Sequence, residues 1–217
     1  MSNPESFIEE VTEEVRRERL FGLFRRYGWI AVVAVLLLVG GTAYNEWQKT
    51  RARNSAQALG DGIMAALDQP GTAARVAALD AVAVTGDAAA LVALLAAGEQ
   101  IDAGETEAGV ARLQALADAT DLPLLYRQLA TLKLILAQGT TVAADERRAA
   151  LEPLSAPGQP FRPLALEQLA LIEAETGAAD AALELLREVL NDAQASPGLR
   201  QRASQLIVAL GGSLGDA

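Results

Sequence analysis

Histidine and cysteine are both missing from this chain. That removes the usual general base, thiolate nucleophiles, disulfides and the commonest zinc ligands. Chemistry would have to come from carboxylates, arginines and hydroxyls. Two carboxylate pairs lie close in sequence, Glu105 with Glu107 and Glu173 with Glu175, the residue types that acid–base hydrolysis uses. Positions i and i+2 point to different faces of a helix, so both pairs read as solvated surface. Gly60-Asp61-Gly62-Ile63-Met64-Ala65 spells the dinucleotide fingerprint G-x-G-x-x-A, but that fingerprint needs a strand before it and a helix start after it. Here it falls inside a helical pattern and reads as a kink or loop. No P-loop, nucleophile elbow or calcium loop occurs. The residues therefore imply no catalytic group, no cofactor and no metal. A membrane-tethered enzyme using only carboxylates and arginine would need a perturbed pair in a deep cleft.

The candidate partner-contacting residues are few. Tyr126 with Arg127, and Phe161 with Arg162, are the aromatic-plus-arginine sites of the C-terminal region. Such residues are over-represented where proteins meet, and they serve equally as ordinary packing.

The elements that would carry these residues are helical. Half of the chain is apolar and only 4% is aromatic, and its abundant alanine favours closely packed helices over sheet. Pro and Gly breaks delimit helices over 48–67, 72–84, 88–103, 105–119, 123–137, 144–154, 163–175, 178–192 and 198–210. No segment alternates with period two over a useful length. The net charge is −10. After Trp47, 13 Lys and Arg face 21 Asp and Glu, an acidic balance that repels phosphate backbones and disfavours nucleic acid.

The N-terminal region differs. Residues 27–45 form 19 consecutive uncharged positions, about 28 Å as a helix, close to the ~30 Å hydrocarbon core of a bilayer. Ile30, Val32, Val33, Val35, Leu36, Leu37, Leu38 and Val39 supply the apolar body. Tyr27 and Trp29 stand at one end, Tyr44 and Trp47 at the other, where amphipathic rings prefer the headgroup region. A single membrane anchor over 27–47 is the expected reading. Its rival is a signal peptide cleaved after Ala43, where Gly41 and Ala43 form a small-x-small pattern. Against cleavage stands the long preceding segment, which itself reads as a helix: Asn3 as N-cap, Pro4 at its first position, early glutamates and late arginines. Phe7, Ile8, Val11 and Val15 form an apolar stripe on that segment, suited to a partner or the bilayer surface or incidental to a solvated helix. Arg16, Arg17, Arg19, Arg25 and Arg26 precede the run, whereas Lys49, Arg51 and Arg53 follow it. The bias places the N-terminus in the cytoplasm, with Arg25 and Arg26 meeting lipid phosphates.

Within the C-terminal region, GETEAGVARLQALADATDLPLLYRQLATLKLILAQG from Gly104 aligns with GAADAALELLREVLNDAQASPGLRQRASQLIVALGG from Gly177, with one residue inserted before the second proline. Gly104 then matches Gly177, Leu113 matches Leu186, Leu116 matches Val189, Pro123 matches Pro197, Leu132 matches Leu206 and Leu136 matches Leu210. The spacing of 73 to 74 residues is a little over twice a tetratricopeptide period and fits two helical hairpins per unit. The expected fold class is all-α: an N-terminal amphipathic helix (1–26), one transmembrane helix (27–47) and a tetratricopeptide-like helical-repeat solenoid (48–217). The end, GGSLGDA, reads as a tail.

An amphipathic segment, then Phe24-Arg25-Arg26-Tyr27-Gly28 within RRERLFGLFRRYG, one apolar span and a repeat domain together resemble the YfgM-like ancillary subunits of the Sec translocon. The resemblance implies a bacterial inner-membrane protein with its repeat domain in the periplasm. It also implies a non-catalytic role assisting translocation or chaperone handover. The partners it implies are the SecYEG channel and a membrane-anchored periplasmic chaperone of peptidyl-prolyl isomerase type. This chain lacks the Trp and most of the Tyr and Phe of the strict repeat consensus. The alternative is a structural accessory subunit of another inner-membrane complex, held by its span and amphipathic helix. A homo-oligomer formed through the terminal repeat stands beside the monomer.

Overall fold

The computed structural model describes the backbone of residues 4–214, and the side chains of that range except for residues 4–28, 30–32, 34 and 35. The described residues form nine α-helices and one 3-10 turn, with no strand among them. The helices are α1 (Pro4–Leu67), α2 (Thr72–Asp80), α3 (Asp87–Asp102), α4 (Thr106–Asp118), α5 (Leu124–Gln138), α6 (Ala144–Ser155), α7 (Arg162–Glu175), α8 (Ala179–Asn191) and α9 (Pro197–Ala209). The 3-10 turn, Gly139–Thr141, lies between α5 and α6. Every helix expected from the Pro and Gly breaks is present, and the fold is an all-α helical repeat.

Two compact units divide the chain, Met1–Ala58 and Leu59–Ala217, with α1 contributing to both. In the first, Trp29, Val33, Leu36, Leu37, Leu38, Val39, Tyr44 and Trp47 are exposed. Among the described residues no helix is long and apolar enough to cross a membrane. The side chains of Tyr27, Ile30, Val32 and Val35 lie outside the described residues. So do those of Arg16, Arg17, Arg19, Arg25 and Arg26 and of the stripe Phe7, Ile8, Val11 and Val15.

The second unit is built from four consecutive cores. Ala66 of α1, Leu79 of α2 and Val92 and Ala96 of α3 form the first. Leu94 and Ala97 on another side of α3 join Leu113 of α4 and Ala130 and Leu134 of α5 in the second. Leu132 and Ile135 of α5 meet Leu151 and Leu154 of α6 and Ala165, Leu169 and Ile172 of α7 in the third. Leu166 and Ala170 of α7 complete the fourth with Leu186 of α8 and Ala203 and Ile207 of α9. Thus α3, α5 and α7 each bury residues in two cores, which accounts for their near-continuous apolar sequences. By contrast α8 confines its apolar residues to one stripe and turns Asp180, Glu184 and Glu188 outward. Among α2 to α9, the sequential pair α5 and α6, separated by the 3-10 turn, meets over the smallest surface.

The repeat is genuine, but its register differs from the gapped alignment. A constant shift of 73 positions superposes the second core on the fourth: Ala97 on Ala170, Leu113 on Leu186, Leu116 on Val189, Tyr126 on Leu199, Ala130 on Ala203 and Leu134 on Ile207. No insertion is needed, because Pro123 is the N-cap of α5 whereas Pro197 is the first residue of α9, after its N-cap Ser196. The two prolines occupy adjacent positions of the same cap, and matching them displaced the fifth helix by one residue. The repeat also extends back to α3 and α7. Gly104 and Gly177 close these two helices in the left-handed region, at φ of 84° and 83°. The amide of Glu105 donates to the Gln100 carbonyl and that of Ala178 to the Glu173 carbonyl, both at 2.8 Å. These are paired Schellman closures, which need a residue without Cβ.

Two local expectations are corrected. Gly60 and Gly62 do not interrupt α1, since the helix continues to Leu67. The Cβ position of Gly62 faces Val82 at ordinary contact distance, so a small residue suits the approach. Helix α2 stops at Asp80 rather than Val84: Val82, Val84 and Thr85 are β-branched, and Val82 and Val84 pack on the first core while Ala83 and Thr85 between and after them are exposed.

At Gly109, a Cβ would lie 2.6 Å from Cγ1 of Ile101 and 2.9 Å from the Ala97 carbonyl oxygen. Substitution Gly109→Ala is therefore expected to lower unfolding free energy by about 1–3 kcal/mol despite alanine's better helix propensity. Leu113→Ala and Leu186→Ala should each cost about 2–5 kcal/mol. Urea denaturation of the three variants checks this, and a neutral Gly109→Ala would show that α3 and α4 are not in such close approach.

Candidate functional site

Because the apolar faces are spent on the four cores, the polar side chains between helices are mostly arginines that reach a carboxylate on a neighbouring helix. Arg75 of α2 pairs with Glu99 of α3, and Arg112 of α4 pairs with Asp80 at the end of α2 through two contacts of 2.7 and 3.0 Å. Arg147, 7% exposed, donates to both Glu175 oxygens at 2.7 Å and to the Val142 carbonyl at 3.0 Å. Arg148 reaches Glu173 at 2.8 Å and Asp145 at 2.6 Å, and these hydrogen bonds, Glu173 first, hold its guanidinium above its ordinary pKa. Glu173 and Glu175 are thus not the free solvated pair expected from their spacing. Each is bound to a different arginine of α6. Glu105 and Glu107 are exposed, as expected.

The four candidate contact residues are distributed within the fold. Tyr126 packs on the second core, and the Arg127 Nε donates to the Ala117 carbonyl at 3.3 Å. Phe161 packs on the third core at the entry to α7. Arg162 bridges Asp192 and Glu188. The Asp192 carboxylate accepts a 2.8 Å hydrogen bond from the Gln194 amide, and that bond, with the Arg162 hydrogen bond and the charges of Arg162 and Arg200, holds it below the usual carboxylate range against the opposing cost of burial.

A groove of this unit lies elsewhere. It has a volume of about 580 Å³ and is lined by α5, α7 and α9, within the size range of ligand clefts. Leu132 and Leu136 of α5, Leu164 and Leu171 of α7 and Leu206 of α9 form its walls. Leu136 is 54% exposed and Leu171 40%. The charged groups lining it are Glu167 and Arg202. Glu167 is buried and both of its oxygens accept from Arg202, at 2.8 and 3.0 Å. The hydrogen bond to Glu167 is the main reason that Arg202 is raised above its ordinary pKa. Two charges that neutralise each other leave an apolar, electrically balanced surface. Its acidic member is fully committed and has no base beside it, so the arrangement suits holding an apolar segment rather than moving protons. Among the described residues no group of His, Cys, Asp and Glu could hold a metal ion.

Sequence reasoning missed this groove. The signal that could have found it was an excess of leucine on α5, LLYRQLATLKLILAQ, beyond what two cores consume, together with a lone glutamate inside the apolar run PLALEQLALI of α7.

Asp192 supplies a pH test. Its folded-state pKa lies below the unfolded value, so its contribution to stability is complete above about pH 4 and is lost as pH falls through the folded value. Asp192→Asn should remove that part of the acid dependence. Denaturation midpoints measured at neutral pH and at progressively lower pH should converge for wild type and variant as the medium is acidified, and parallel curves would refute the assignment.

A family model described as a tetratricopeptide repeat-like domain matches residues 24–160. No curated protein and no solved structure matches the chain.

Proposed function

Because this chain belongs to the tetratricopeptide repeat-like domain family, we propose that it is a membrane-anchored, non-catalytic protein-interaction module assisting protein translocation or periplasmic chaperone handover at the Sec translocon. Families of this kind are typically non-catalytic, and stacked helical hairpins present extended surfaces to other proteins. The observation that carries the interaction role is the apolar groove of α5, α7 and α9, whose charges are already paired. An exposed apolar surface rimmed by polar groups marks a place where another molecule docks.

The anchor rests on the sequence, on 19 uncharged residues with aromatics at both ends. The orientation with the N-terminus cytoplasmic rests on the arginine bias before the run, and placement in the bacterial inner membrane with a periplasmic repeat domain rests on the resemblance to YfgM-like subunits. The SecYEG channel and a membrane-anchored periplasmic chaperone as partners rest on the resemblance of RRERLFGLFRRYG and the element order to YfgM-like subunits. Tethering would raise the effective concentration of the groove at the channel, so that weak contacts suffice.

Crosslinking from residues flanking the apolar run, followed by intact mass of the membrane-extracted protein, tests the reading. A full-length chain joined to the channel is the expected outcome. A mature chain beginning at Tyr44 in the soluble fraction would overturn the anchor. Leu136→Arg with Leu171→Arg should leave unfolding free energy within about 1 kcal/mol, since both sites are already exposed. The double variant should reduce periplasmic crosslinks several-fold, and unchanged crosslinks would remove the groove from the proposal.

A further inference from the structure

The part of α1 that follows the uncharged run carries an arrangement that the repeat fold does not use. Tyr44, Trp47 and Arg51 fall at i, i+3 and i+7, one face of the helix. The Tyr44 and Trp47 rings lie 6.1 Å apart, and the Arg51 guanidinium stands over the Trp47 ring at 5.6 Å from its centroid. All three residues are exposed. Helical side chains lean toward the N-terminus, so Arg51 reaches back toward the uncharged run rather than away from it. At 5.6 Å the guanidinium is within cation–π range of the indole, an attraction that does not consume its N–H donors. Arg51 has no carboxylate partner among the described residues, and neither has Lys49. Arg53 is 3.7 Å from Glu46, with both side chains exposed.

We propose that Trp47 and Arg51 hold the headgroup phosphate of an anionic phospholipid at the end of the apolar run. The charge balance favours this ligand: residues 46–53 carry three cations and one carboxylate in a chain of net charge −10. The forked N–H donors of a guanidinium match two phosphate oxygens. The position favours a lipid over a free phosphate. Arg51 lies about 9 Å beyond Asn45 along the helix, and its backward reach brings it to headgroup depth. Acyl chains would then lie along the exposed Leu36, Leu37, Leu38 and Val39. The inference rests on the membrane-anchor reading above, and adds selectivity for anionic lipid at the end of the run opposite its arginine cluster.

The full chain reconstituted into vesicles of phosphatidylethanolamine with phosphatidylglycerol provides the test. Flotation reports the anchor, and native mass spectrometry of the extracted protein reports retained phosphatidylglycerol. Arg51→Gln should float like wild type and retain about fivefold less phosphatidylglycerol, the factor contributed by one cation near an anionic surface. Lys49→Gln, on the other side of the helix, should lose much less. Flotation with equal retention in the Arg51→Gln variant would overturn the headgroup site and leave the anchor standing. Failure to float would overturn both. Retention lost on adding millimolar inorganic phosphate would show a free-anion site and overturn the assignment to lipid.

Discussion

Three helices have to satisfy two cores each, and the rest of the repeat unit depends on that. On α3, Val92 and Ala96 face one core while Leu94 and Ala97 face the next, and α5 and α7 divide their residues in the same way. A helix with one buried stripe could end an array, but it could not continue one. Shared helices need apolar residues around most of their circumference. They also need small residues where neighbours press close, which explains alanine at positions 96, 97, 130, 165 and 170. Gly109 is the extreme case, where even a methyl group would meet the backbone of α3.

Shared apolar helices leave little room for polar specificity, and the arginine–carboxylate pairs occupy what remains. Arg112, Arg147, Arg148, Arg162 and Arg202 each reach a carboxylate on a different helix. Surface pairs of this type add little stability individually. The two-pronged contacts of Arg112 with Asp80 and of Arg202 with Glu167 instead penalise a helix that slides or rotates relative to its neighbour. The pair of Glu167 with Arg202 has a second effect, because it removes free charge from the groove and so disfavours charged occupants.

Helix positions were legible from the sequence because their ends are marked by residues with few conformational options. Gly104 and Gly177 end helices in the left-handed region, and Pro123 and Pro197 begin them. The period was legible for the same reason. Its register was not, since Pro123 and Pro197 occupy adjacent cap positions, and only burial shows that Ala130 and Ala203 are equivalent. Gly60 and Gly62 were misread because glycine inside a helix does not announce whether it breaks the helix or lets a neighbour approach. The groove escaped notice because Leu136 and Leu171 look like core residues until the two cores beside them are seen to be complete without them. Glu173 and Glu175 show the converse limit. Their spacing separates them on the helix, but it carries no information about the two arginines of α6 that claim them.

The sequential order of the cores has a mechanical meaning. Each core joins only successive helices, so tension between α2 and α9 is borne by the cores in series rather than in parallel. A chain of links in series yields where overlap is least, and among α2 to α9 that place is the meeting of α5 and α6 beside the 3-10 turn at Gly139. A pull on this array would therefore open it near its middle, parting two helical blocks that each keep a complete core.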